Sequence, residues 1–569
     1  MKSIFLDRKR ALKRLAYIMI FVSAPQSLLF AQVKSVSLLN PKPAEYHKAE
    51  FDIKLVETWA NPYLQEDIAL DMLITAPSGK KLTLPCYYES GESGQESLWK
   101  ARFMPQEVGK YSSVVVLKKN GQVSSTSKPV SFVSHYAGGD GILHPGTNWA
   151  FKFDDGKPFR GIGENIGWES RAHDDSKFFR ELHEKPKYNY EYMLPSLAHH
   201  GGNFFRTWVS SFNLPIDWKR GFNSTRYTET DKYFNPSAIA KMDRLTELCD
   251  SLGLHMMLTL GEGASGLRDG GFSPTPADFF VNPLSKARYK NRLRYFIARW
   301  GYSPSIGAWE LFNEVDNVQF RNKNKPISAD SIVQWHDEMS AYIKQTDPFK
   351  HLVTTSISHR DLKGLNSLAN IDFNQKHIYK NTGSMPDAIK DYEKNFGKPY
   401  VIGEFGYEWD WSKNFDEFSE GMDGDYKRGL WYGLFAPTPI LPMTWWWEYF
   451  DNRKTDAYMA NVRPILNNML KAGKGNFTQV DVVASNPDVK AYAVKCGNKL
   501  YIYAFNPGAD GTKLDIEPKV TLKATYAATA YDCESRQYKK ASLAKSGIKN
   551  WSLAAKTDVL FTVNMGSEK

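Results

Sequence analysis

The sequence predicts an α/β protein, a TIM (β/α)8 barrel with an antiparallel β-sandwich before it and a smaller β-sandwich after it. Three observations carry this. Eight short apolar runs alternate with helical stretches between about residues 160 and 444. The flanking segments have no helical period and alternate polar with apolar residues instead. No Gly-rich phosphate fingerprint follows the first run, which removes the main motif of a doubly wound sheet.

At 569 residues the chain exceeds one ordinary domain. The first 32 residues read as a secretory signal. Lys2, Arg8, Lys9, Arg10, Lys13 and Arg14 precede an apolar run from Leu15 to Val22, with a breaker at Pro25. That run is too short and interrupted for stable membrane insertion. No Cys lies near the junction to accept a lipid, so a secreted or periplasmic location is expected. Residues 33–137 hold strand-like runs such as Phe51–Val56, Leu70–Ile74 and Tyr111–Leu117, separated by turn sequences at Pro77-Ser78-Gly79 and Lys119-Asn120-Gly121.

A Gly-rich boundary at 138–141 opens the barrel segment, 138–474. A hairpin is expected first, turning at Asp155-Gly156. The eight expected strands are Arg160–Gly163, Phe204–Val209, His255–Leu260, Ile306–Phe312, His351–Ser356, Phe373–His377, Tyr400–Gly403 and Pro439–Thr444. Ala287–Trp300 and Ala329–Thr346 are among the helices between them. From 475 to 569 short strands return, for example Val489–Val494 and Leu500–Ala504.

Net charge is +10, but the signal segment contributes half of it, and the remainder forms no long basic run. Nucleic acid is therefore not an expected partner. The four cysteines match no zinc or redox spacing. Cys496 and Cys533 share one region and are candidates for a disulfide, whereas Cys249 reads as a buried small hydrophobe.

Barrel active sites are built at the C-terminal ends of the strands. The second strand delivers Arg206, the fourth Asn313-Glu314, the sixth His377 and Tyr379, and the seventh Glu404. The eighth ends in Trp445-Trp446-Trp447, indoles suited to stacking on a pyranose. Two carboxylates flanking a sugar bond are the minimum equipment for glycoside hydrolysis. A buried Arg206 beside Glu404 is expected to lower its pKa and hold it ionised. Glu310, four residues before Glu314, falls deeper in the barrel and is expected to be structural. Strand alternation puts Trp445 and Trp447 on one face. Trp168 and Trp208 are platform candidates with core packing at least as good an explanation, and His199, His200 and His359 read as structural or rim residues.

This order of residues resembles the clan of retaining β-glycosidases with (β/α)8 barrels, closest to glycoside hydrolase family 5 of the cellulase and mannanase kind. The resemblance spans about residues 140–470, and 33–137 look like the Ig-like sandwich that precedes such barrels in some polysaccharide-degrading enzymes. It implies Glu314 as acid/base and Glu404 as nucleophile. Arg206, Asn313, His377, Tyr379, Trp445 and Trp447 are implied around the substrate, with no metal and no cofactor. The third strand departs from the pattern, ending Leu260-Gly261-Glu262-Gly263 where a His is often seen. The Gly- and Pro-rich loop 261–278 is a candidate lid. The expected activity is hydrolysis of a β-linked polysaccharide or oligosaccharide such as mannan or glucan. The alternative is a non-catalytic glycan-binding protein on a decayed barrel, against which the presence of both glutamates stands; inverting or lyase chemistry is a third option.

Overall fold

A computed structural model of the chain describes residues 32–261, 273–320 and 324–566. Residues 1–31 of the segment expected to be a signal, and 262–272 of the candidate lid, with Glu262, lie outside these residues. Among the described residues no helix is long and apolar enough to cross a membrane.

Eight parallel strands form a closed ring. They are β1 (Gly163–Asn165), β2 (Phe204–Trp208), β3 (His255–Thr259), β4 (Ile306–Glu310), β5 (Leu352–Thr354, resuming as Ser356–Ile357), β6 (Asn374–Tyr379), β7 (Tyr400–Gly406) and β8 (440–444). β8 joins the ring through parallel bridges from Thr444 to Glu164 and to Phe405, and from Ile440 to Gly161. β4 and β7 are buried along their whole length, which is why they read as near-continuous apolar runs rather than alternating ones, whereas β6 carries Asn374, Gln375, Lys376 and His377.

The lower barrel interior is apolar. Phe204, Met257, Ala308, Leu352, Phe373, Val401 and Ile440 meet there, and Phe151 and Phe159 of the preceding hairpin close it from below. That hairpin pairs Phe151–Phe153 with Pro158–Phe159, and Gly156 takes the positive φ of 84° its turn requires. Gly163 has no room for a side chain, since a Cβ there would lie 1.6 Å from the Phe204 carbonyl oxygen.

Ring closure is reinforced by Arg160, which is fully buried. Its guanidinium donates to the carbonyl oxygens of Gly433 (2.8 Å), Leu434 (3.0 Å), Ala436 (2.7 Å) and Thr438 (2.8 Å). One side chain thereby pins the start of the barrel to the segment leading into β8.

Before the barrel, two antiparallel sheets share one core. One orders Gln32–Leu38, Ala49–Val56, Glu96–Phe103 and Tyr87–Ser90; the other is centred on Ile68–Thr75 and Gly109–Lys119. Phe51, Ile53, Leu70, Met72, Trp99 and Leu117 meet between them. Beyond the barrel, a six-stranded and a three-stranded antiparallel sheet enclose Ile502, Ile516, Leu543 and Phe561. The six-stranded sheet docks on helix Ser419–Leu434 (α1), where Trp431 stacks on Tyr503 and Arg428 pairs with Asp558 at 2.5 Å. Cys496 and Cys533 are both buried and unbonded, as are Cys86 and Cys249, so the candidate disulfide is absent.

Arg160→Met keeps the volume but takes the guanidinium from four buried carbonyls, of which those of Gly433 and Ala436 keep a backbone donor, and costs about 2–3 kcal/mol. A thermal scan should show a lower unfolding midpoint; an unchanged midpoint would mean the carbonyls find other donors.

Candidate active site

Above the apolar floor the barrel interior turns polar. Arg206, in the middle of β2, has no solvent exposure. Its Nε and Nη2 reach the two oxygens of Glu310 on β4 at 2.6 and 2.9 Å. Its Nη1 reaches Glu404 Oε1 on β7 at 2.6 Å and Asn165 Oδ1 on β1 at 3.1 Å. Nη2 also donates to Asn313 Oδ1 at 2.7 Å. Four strands are thus tied to one guanidinium. Glu310 also accepts from Thr259 Oγ1 on β3 at 2.6 Å, and it lies at the bottom of this layer, away from solvent.

The second oxygen of Glu404 accepts from the Tyr379 hydroxyl on β6 at 2.7 Å. His377, two residues earlier on β6, presents Nδ1 to both glutamates, at 2.8 Å from Glu314 Oε1 and 3.3 Å from Glu404 Oε2. Oxygens of Glu314 and Glu404 and a ring nitrogen of His377 all lie within 4.8 Å of one another. Glu314 Oε2 accepts from Asn317 Nδ2 at 2.9 Å. With its Oδ1 held by Arg206, Asn313 turns its amide nitrogen toward the cleft it lines.

Glu314 sits where β4 gives way to the short helix Val315–Gln319, with φ 49° and ψ 51°. This left-handed conformation costs a non-glycine residue about 1–2 kcal/mol. The Glu314 N–H donates to Ser356 Oγ at 2.9 Å, and that bond holds the turn.

Electrostatics divide the carboxylates. Arg206 keeps Glu310 below the usual carboxylate range in spite of burial. Glu404 goes the other way. Burial raises it and the neighbouring Glu314 adds to the rise, while His377, Arg206 and Tyr379 oppose. Arg206 lowers Glu404 as expected, but its pull, with those of His377 and Tyr379, does not offset the desolvation, so the expectation of a net lowering is corrected. Burial likewise pushes the Tyr379 hydroxyl far up, so it stays protonated as a donor.

Glu314, Asn313, His377, Tyr379, Glu404 and Trp445 all line one cleft of about 990 Å³. Two expected substrate contacts do not reach it. Arg206 lies beneath the floor of the cleft, touching carboxylates rather than open space. Trp447 is 3% exposed and packs edge-on behind Trp168, with ring centroids 5.0 Å apart. Strand alternation fails there because β8 ends at Thr444 and Trp447 begins a helix, Trp447–Arg453. Its place on the cleft wall goes to Trp446, whose Nε1 donates to the Glu408 carbonyl at 2.7 Å. Trp168 and Trp208 line the cleft and also pack on Trp445, at 5.4 and 5.2 Å, so both earlier readings hold. His359 is on the rim, its Nδ1 2.6 Å from Ser358 Oγ, and His200 pairs with Asp456 away from the cleft. Sequence reasoning passed over Asn317, which needs the turn at Glu314 to bring it back, and Trp409 and Trp411, which stand on an irregular loop.

Residues 42–116 match a domain of unknown function, DUF5060. Part of the chain is similar to mannan endo-1,4-beta-mannosidase A of Podospora anserina, 25% identical over 227 residues, which cover 33% of this chain and 59% of that one. It is also similar to mannan endo-1,4-beta-mannosidase A of Aspergillus aculeatus, 29% identical over 155 residues, 23% of this chain and 39% of the other. The chain thus spans about three fifths and two fifths of the length of these relatives. A crystal structure from Bacteroides vulgatus ATCC 8482, of a candidate glycoside hydrolase, shares the fold with a TM-score of 0.63 at 13% identity, over 92% of this chain and 100% of that one. The resemblance to family 5 glycoside hydrolases drawn from the strand-end residues is matched by these sequence relatives.

Glu310→Gln removes the competitor for Arg206 and one negative charge near Glu404. The Glu404 carboxyl should then titrate at lower pH, seen by carbon NMR of labelled glutamate. An upward or absent shift would contradict the shared-cation account.

Proposed function

We propose that this protein is a secreted or periplasmic retaining β-glycoside hydrolase that acts within β-1,4-linked polysaccharide chains, with mannan as the first substrate to test. The observation that carries the reading is the spacing of the two glutamates. Their oxygens approach within 4.8 Å, in the range of retaining pairs (about 5 Å) and short of the 6.5–9.5 Å or so that an inverting water requires. Mannan enters from the relatives, which are mannan endo-1,4-beta-mannosidases by name.

In this reading Glu404 is the nucleophile. Arg206 and Tyr379 fix one oxygen each, which orients the carboxylate without consuming the lone pair aimed at the cleft. Glu314 is the more solvent-accessible of the two, with a side chain 23% exposed against 6%. That suits a group that gives a proton to the leaving oxygen and then takes one from water. The Asn313 amide donates to the sugar hydroxyl beside the reacting carbon, a contact that strengthens as positive charge develops in the ring. His377 links the two acids, so a proton lost by one is felt by the other. Trp445 forms the stacking wall.

The sheets of 33–137 and 475–569 are read as an Ig-like sandwich and a second small sandwich that buttress the barrel of 138–474. Carbohydrate is the one partner this reading requires.

Glu404→Gln and Glu314→Gln should each lower kcat on mannan by about 10²–10⁴. The Glu314 variant should lose far less glycosylation rate on an aryl glycoside whose leaving group departs without a proton; equal losses on both substrates would reverse the assignment. Proton NMR of the first products should show the β-anomer, and initial α-anomer would refute retention. Because burial raises Glu404, kcat/KM should fall on the acid side at a pH above the usual carboxylate range as the nucleophile takes up a proton.

A further inference from the structure

The loop that follows the nucleophile strand is braced in an unusual way. Glu408 is 6% exposed although it sits at the cleft rim. Its Oε1 accepts from the N–H groups of Trp409 (3.0 Å) and Asp410 (3.1 Å) and from Lys380 Nζ (2.8 Å), while Oε2 pairs with Lys413. These contacts hold its carboxyl down at about 2, so the clamp stays charged in any ordinary buffer. Asp410 adds a further turn by accepting from the N–H and hydroxyl of Ser412. The loop is also fastened from below, where the Trp446 ring donates to the Glu408 carbonyl.

What this bracing presents is two indoles to water. Trp409 and Trp411 are 56% and 45% exposed, and every other tryptophan is buried or half-buried. Both line the same cleft as Glu314 and Glu404. Lys380 lies 5.0 Å from the Trp409 ring centroid, which fixes one face of that ring. Exposed indoles on a rigid loop give no core packing to the protein, yet they offer flat apolar faces at little ordering cost. The cleft volume stands at the upper limit for a single small ligand, which leaves room for several sugar units in line.

We propose that Trp409 and Trp411 form an outer sugar-binding platform, which stacks pyranose units beyond those flanking the two glutamates and makes the protein select long, extended β-linked chains. The proposal rests on the reading of the cleft as a glycosidase site. The loop has no catalytic contact, so it sets substrate length rather than the chemical step.

The test uses binding. In the full chain carrying Glu404→Gln, calorimetry measures the affinity for mannobiose through mannohexaose and for the matching cello-oligosaccharides. Affinity should climb with length in at least one series. Adding Trp409→Ala with Trp411→Ala should leave the disaccharide unchanged and weaken the hexasaccharide about tenfold. Trp409→Phe and Trp411→Phe keep a smaller ring and should recover part of the loss, which separates stacking from loop collapse. Equal loss at every length, no loss, or no binding in either series overturns the platform. Turnover of mannan or glucan by the unsubstituted protein judges the glycosidase reading separately: length-dependent binding without turnover keeps the platform and removes the enzyme, and turnover without length dependence does the reverse.

Discussion

The upper half of the barrel is organised around one guanidinium. Arg206 has no contact with water and touches side chains from β1, β4 and β7 and from the turn after β4. Isolated burial of such a cation is costly, so its acids are obligatory partners rather than optional ones. Two carboxylates share it, and the geometry decides the division. Glu310 takes the bidentate face and is fully charged at depth, whereas Glu404 receives a single donor and keeps part of its desolvation penalty. A carboxylate that is oriented but not over-stabilised is the outcome, which suits the part of nucleophile proposed for it.

The layering of the barrel follows from the same constraint. Below Arg206 the interior is filled by Phe, Met, Leu and Ile with a hairpin as stopper, and above it the polar groups satisfy one another. The flanking sheets attach by the same two means. The N-terminal unit meets the barrel through ion pairs such as Arg102 with Asp243 and Arg299 with Glu89 and through rings such as Tyr63 on Tyr233 and Phe103 on Phe349, and the C-terminal sheet uses stacked rings around a buried Arg428–Asp558 pair. Neither attachment touches the cleft, so the chemistry belongs to the barrel.

Much of this was legible in the residues themselves. Strands β4 and β7 are buried along their whole length, so their runs were visible and Glu314 and Glu404 at their mouths stood out. β6 is largely polar, and His377 and Tyr379 followed instead from the order of residues on the other strands. Three things did not. The place of Trp447 depended on where β8 stops, and nothing in three successive tryptophans marks the turn into helix. The upward shift of Glu404 comes first from its burial and then from Glu314 beside it, and the depth of a carboxyl in the barrel is not written in residue spacing. Trp409 and Trp411 stand on a loop without periodicity, where an exposed indole and a core one look alike in sequence. Cys496 and Cys533 were close in the chain, yet proximity in sequence says little about whether two sulfurs meet.

The way the ring is shut has a consequence for how the chain reaches this state. β1 obtains its last neighbour only when residues near 440 arrive, and Arg160 finds its four carbonyls only in 433–438. Until then, a growing chain carries an open parallel sheet with two unpaired edges and an uncompensated arginine at one of them. Arg160 and Thr438 are 278 residues apart in the chain, and contacts of such long range form slowly, so ring closure rather than the making of any one strand is the slow event to expect.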